Sequence, residues 1–193
     1  METDTVYRFT EFGHKQIIPL EEKTMVSDGL EIPYYFLQPE RSDNYPLVVW
    51  LHGSSSSFSP RWHQYAQYFG NQGFAFVAIN FSGSTGLGRP DLSREELLQL
   101  QSKEVRAVIN EIRSHHGLSG NPVVGVGVSY GTILSGKISK MYPGLFDMVL
   151  EYAPVYPAED YPKDLPVHIF TGAQDAYADR EELVRHANLT PLH

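Results

Sequence analysis

Residues 121 to 131 read Asn-Pro-Val-Val-Gly-Val-Gly-Val-Ser-Tyr-Gly, a short apolar run ending in Gly127-x-Ser129-x-Gly131. An apolar run bounded by turn residues is a buried strand, and small residues at 127 and 131 let the chain turn sharply into a helix without striking its neighbours. Such a turn lifts the Ser129 hydroxyl clear of the sheet, beside the helix N-terminus, where the partial positive charge favours a developing anion. The segment therefore predicts a nucleophilic serine. The plain alternative is an ordinary turn whose serine caps the following helix.

Further runs place this strand in an alternating pattern. Lys23 to Pro39 predicts a hairpin turning at Ser27-Asp28-Gly29, with both strands at a sheet edge. Pro46 to Leu51 and Phe74 to Ile79 are continuous apolar runs of the kind buried on both sheet faces. Arg61 to Gln72 predicts a helix closed by Gly73. Ser93-Arg-Glu-Glu96 matches a capping box, and Leu98, Val105, Val108, Ile109 and Ile112 follow at helical spacing. Thr132 to Met141 and Asp179 to Ala187 predict helices, and Met148 to Tyr152 and Val167 to Thr171 strands. Strands alternating with helices specify an α/β fold: a three-layer sandwich, mostly parallel, with an N-terminal antiparallel hairpin. No repeat or linker divides the chain, so 1–193 is expected to be one domain with a variable segment at 1–20.

Composition narrows the function classes. With 193 residues, 41% of them hydrophobic, the chain can bury a substantial core. A net charge of -8 repels phosphate backbones and anionic membranes, so neither is an expected partner. The absence of cysteine excludes thiolate metal sites and cysteine nucleophiles. No histidine or carboxylate pair stands at metal-ligand spacing, and no metal or cofactor is expected. The N-terminus lacks a charged start followed by an apolar run, and no membrane-length apolar stretch occurs, so a cytoplasmic location is expected.

In an open parallel sheet the reactive groups gather beyond the carboxyl ends of the strands. There stand His52-Gly53-Ser54, Asn80 to Gly88, Ser129 and Gly172 to Asp175. A serine nucleophile needs a base and two donors for the oxyanion. The Tyr130 backbone N–H and one from Gly53-Ser54 are the expected donors, and Asp175 is placed to orient a histidine. Gly125 to Gly131 also approaches a dinucleotide fingerprint, with Glu151 twenty residues on as a ribose acceptor, but its third glycine is misplaced.

Taken together, these stretches resemble the α/β-hydrolase superfamily and, within it, the catalytic domain of the prolyl oligopeptidase family of serine peptidases. Ser27-Asp-Gly29, Tyr45 to Gly53, Gln72 to Phe81, Gly83 to Gly88, Gly127 to Gly131 and Gly172 to Asp175 carry the resemblance in order. It implies a serine hydrolase acting on an ester or short peptide, with Ser129 as nucleophile, Asp175 as acid, and Tyr130 with the His52 to Ser54 loop as oxyanion donors. Ser54, Ser82 and Thr132 depart from residues common in relatives, whose histidine follows one further strand; here the sheet is expected to be shortened at that strand. His193, 18 residues after Asp175, is the candidate base. A helix over 179–187 descends about 14 Å at about 1.5 Å per residue. Residues 188–193, extended at about 3.3 Å each, return roughly 18 to 20 Å. Without that histidine the chain reads as a binding scaffold or a shortened form of a longer peptidase or esterase. The final strand edge offers a pairing surface for a homo-oligomer.

Overall fold

The computed structural model describes residues 20–39, 45–54, 57–58, 63–84, 87–154 and 161–170. Their frame is a seven-stranded sheet in the order β1-β2-β4-β3-β5-β6-β7. Strands β1 (Glu21–Ser27) and β2 (Leu30–Leu37) form the predicted hairpin, with Asp28 and Gly29 at φ 51° and 78°. Two successive left-handed residues give the turn whose twist matches its strands. β2 pairs antiparallel with β4 (Ala75–Ile79), while β3 (Leu47–Leu51), β5 (Val123–Val128), β6 (Met148–Tyr152) and β7 (Val167–Phe170) extend the sheet in parallel.

One expectation is corrected here. β2 is interior, lying between β1 and β4. Its proline does not prevent this, because only Tyr34–Leu37 pair with β4, and Pro33 adds just its carbonyl, accepting from Asn80 N–H at 2.9 Å.

Side-chain alternation sorts the sheet into layers. Leu47, Val49 and Leu51 of β3, with Ala75, Val77 and Ile79 of β4, pack against α2 (Arg94–His115) and α3 (Tyr130–Met141). Val48, Trp50, Phe76 and Ala78 point oppositely, into a cluster with Ala66 of α1 (His63–Asn71). α1 ends where Gly73 adopts φ 87°, as a helix-closing glycine does. The capping box of α2 is complete: Ser93 accepts from Glu96 N–H, and the Glu96 carboxylate accepts from Ser93 N–H at 2.9 Å.

This topology selects one crevice. From β3 the chain moves to β4 on one side, and from β5 to β6 on the other, so the connections diverge between neighbouring strands β3 and β5. Ligands of parallel α/β sheets bind at such a switch point. Gly53 lies just beyond one of these strands and Ser129 just beyond the other.

Candidate active site

Ser129 joins β5 to α3 with φ 51° and ψ -114°. A non-glycine residue held there stores about 1–3 kcal/mol of strain and persists only where its surroundings over-determine it. They do so here: Ser129 N–H donates to Tyr152 O at 3.0 Å, and its carbonyl accepts from Thr132 N–H at 2.9 Å and Thr132 Oγ1 at 2.7 Å. The flanking glycines are required by contact. A Cβ on Gly131 would lie 2.1 Å from Leu51 O, and one on Gly127 would lie 2.7 Å from Gly131 O. Ser129 also makes no side-chain capping bond to α3, so its hydroxyl is not spent on the helix.

Ser129 lines a cavity of about 420 Å³ with His52, Gly53, Ser54 and Tyr130. A Cβ built on Gly53 would sit 3.5 Å from Ser129 Cβ and 4.0 Å from its Oγ, ordinary contact distances that show this backbone running beside the serine. Tyr130 opens α3, where the first N–H groups lack intrahelical acceptors. Four of the six predicted site residues are thus brought together. Asp175 and His193 lie outside the described residues, as does the 179–187 helix.

His52 also borders the cavity, but both its nitrogens are engaged. Nδ1 lies 2.8 Å from Gly53 O, which only accepts, so Nδ1 carries the proton. Nε2 is then the acceptor for the Ser84 hydroxyl at 2.8 Å. The ring stacks on Phe81 at 4.1 Å and is almost fully buried. Burial holds its pKa below the ordinary imidazole value, only partly opposed by the Gly53 bond. His52 is therefore a neutral brace for the Gly53 loop.

Two networks flank the serine, and sequence reading missed both as networks. On the α2 side, Glu104 accepts from Ser82 N–H at 2.8 Å and Ser82 Oγ at 2.6 Å. Gln101 donates to Ser82 O at 2.6 Å and accepts from the Tyr130 hydroxyl at 2.8 Å. The signal was present: Gln101 and Glu104 interrupt the apolar stripe of α2 at buried positions. On the other side, Glu151 of β6 accepts from the Tyr161 hydroxyl at 2.6 Å, and Tyr161 lies 2.5 Å from Ser135 Oγ of α3. Glu151 is buried, so it cannot serve as a ribose acceptor, and burial pushes its carboxyl to about 7, against the Tyr161 bond. Among the described residues no group of histidines and carboxylates stands close enough to hold a metal ion.

Comparison with known proteins agrees with this geometry. The acylamino-acid-releasing enzyme of Sus scrofa is 26% identical over 148 residues, 71% of this chain but 20% of the relative. The chain thus spans about a fifth of the length of that curated relative. In fold it superposes on a cold-adapted esterase from an Arctic intertidal metagenomic library with a TM-score of 0.65, at 14% identity, covering 93% of this chain and 83% of the other. Pyrococcus horikoshii acylaminoacyl peptidase gives 0.58 at 16% identity over 74% of this chain and 24% of the other. The family model of the prolyl oligopeptidase family matches residues 60–193. With the elbow, the glycine beside it and the switch-point crevice all in place, the chain belongs to the prolyl oligopeptidase family.

Proposed function

We propose that the chain is a serine hydrolase that cleaves an ester or small peptide bond through an acyl-enzyme at Ser129. The observation that carries this is the strained, uncapped Ser129 beside the Gly53 backbone and the N-terminus of α3. In this reading Ser129 Oγ attacks the carbonyl carbon, and its proton passes to His193, which Asp175 orients. The oxyanion is held by N–H groups of Tyr130 and the Gly53-Ser54 loop. The protonated leaving group departs, and water then releases the acyl group by the reverse proton path. No cofactor enters these steps. A fluorophosphonate probe should label the folded wild-type chain and not Ser129→Ala, with labelling slowed in Asp175→Asn and His193→Ala. Absence of labelling in a folded wild-type chain overturns the reading.

The engagement of both His52 nitrogens favours one second reading, a hydrolase-like scaffold that binds without turnover, because the histidine that borders the cavity cannot act as base. Labelling that persists unchanged in Asp175→Asn and His193→Ala, with no measurable ester turnover, would select it.

A further inference from the structure

Beside Ser129 the chain leaves β3 through Gly53, and a residue without a Cβ does little to fix the peptide plane that follows it. That plane is nevertheless held. Its carbonyl, Gly53 O, accepts from His52 Nδ1–H at 2.8 Å, and His52 Nε2 accepts from the Ser84 hydroxyl at 2.8 Å. In a planar trans peptide unit the carbonyl and the N–H point in opposite directions, so whatever fixes Gly53 O also aims the N–H of Ser54. We propose that Ser84 is a positioning residue for hydrolysis: acting through His52, it fixes the Gly53–Ser54 peptide so that the Ser54 N–H, rather than that of Gly53, is the second oxyanion donor. This rests on the hydrolase reading and deepens it.

Three observations carry the assignment. First, His52 and Ser84 are each 2% exposed, so water does not compete for the bond between them. A buried acceptor that loses its donor keeps its full desolvation cost, which opposes rotation of the ring away from Ser84. Stacking on Phe81 at 4.1 Å confines the ring further, and burial lowers its pKa, which keeps Nε2 an acceptor. Second, Ser84 is a fixed point. Its N–H donates to Phe81 O at 2.9 Å and its carbonyl accepts from Leu87 N–H at 2.8 Å, while Ser82 beside it is tied to α2 through Glu104 and Gln101. Third, the same anchor reaches the other side of the site. Gln101, which donates to Ser82 O at 2.6 Å, accepts from the hydroxyl of Tyr130, the residue whose N–H is the first expected donor, at 2.8 Å. Ser54 lines the cavity with Ser129 and Tyr130 and is exposed, so its N–H is accessible to a substrate.

The sequence of holds therefore runs from the loop after β4, through a buried imidazole, to one peptide plane beside the nucleophile. Nothing in it touches the substrate before Ser54. Its contribution should appear in the transition state, when charge develops on the attacked oxygen, and not in binding of the uncharged ester.

The test uses the full chain, 4-nitrophenyl butyrate and an alkyl fluorophosphonate. Ser84→Ala should lower kcat about tenfold to hundredfold with KM nearly unchanged, short of the loss on deleting an oxyanion donor outright, and should slow labelling of Ser129 comparably. Ser84→Thr, which keeps the hydroxyl, should recover most of both rates. In the labelled wild-type chain the phosphoryl oxygen takes the oxyanion position, so the Ser54 amide proton, resolved by nitrogen-15 NMR, should move downfield on labelling; this measurement needs no variant. A Ser54 amide that does not move, a kcat for Ser84→Ala within twofold of wild type, a loss confined to KM, or a Ser84→Thr chain as slow as Ser84→Ala overturns the positioning role in a chain that is otherwise reactive. A folded wild-type chain that neither hydrolyses the ester nor takes the fluorophosphonate overturns the hydrolase reading itself.

Discussion

The two flanks of Ser129 each bury a carboxyl group, and they treat it in opposite ways. Glu104, under the loop that carries Ser82 and Ser84, receives two donors, a backbone N–H and a hydroxyl. Glu151, under the first turn of α3, receives one from Tyr161, and its Oε2 has no partner among the described residues. Burial raises both, Glu151 to about 7. The difference teaches that donors oppose the rise that burial imposes: two from Ser82, with the Arg89 charge, act on Glu104, and one from Tyr161 acts on Glu151. The α2 flank is consequently an anchor held by two bonds. The β6 flank is a group poised to lose its proton.

The comparison breaks first at Glu104. Glu104→Ala removes the acceptor of two part-buried donors and leaves Ser82 N–H unpaired beside the cavity. The expected loss is about 3 kcal/mol, from two hydrogen bonds and the vacated volume, read as a fall in urea midpoint at unchanged slope.

Acid–base behaviour sharpens it next. Glu151 rises from 4.5 to about 7 on folding, so the folded chain binds more protons than the unfolded one between those values. The stability it contributes is whole below about pH 4.5, falls as pH rises through 7, and is gone above, a span of about 3 kcal/mol. Glu151→Gln should flatten that part of the stability–pH curve. A curve identical to wild type would show that Glu151 is already ionised in the fold.

The smallest effect is expected where the α2 flank merely touches α3 at the surface. Lys137 meets Glu95 at 2.6 Å, with the Glu95 side chain 60% exposed and the Lys137 side chain mostly covered. Glu95→Gln should leave the urea midpoint nearly unchanged, because a pair with an exposed carboxylate trades attraction against hydration and side-chain freedom.

Much of this molecule is written in short stretches of chain. The apolar runs of β3, β4 and β5, the Asp28-Gly29 turn, the capping box at Ser93 and the elbow at Ser129 each depend on the backbone preferences and periodicity of a few adjacent residues, which sequence displays directly. The residues beyond the strand ends were equally legible, because a parallel sheet has one edge where they collect.

What was not legible depends on partners far away in sequence. His52 borders the cavity, yet Ser84, 32 residues on, occupies its Nε2 and removes it as a base. Glu151 is an ordinary acid by sequence and becomes a near-neutral titrating group only when Tyr161, Ser135 and the β5–β6 pairing enclose it. β2 was expected at an edge and is interior, because pairing with β4 follows from how the whole sheet assembles. Sequence alone determined the alternating elements and the serine on its turn, since local dihedral preference suffices for these. Tertiary structure alone decided which polar groups are buried, paired and aimed at that serine, because desolvation and hydrogen bonding are set by neighbours that only the closed fold supplies.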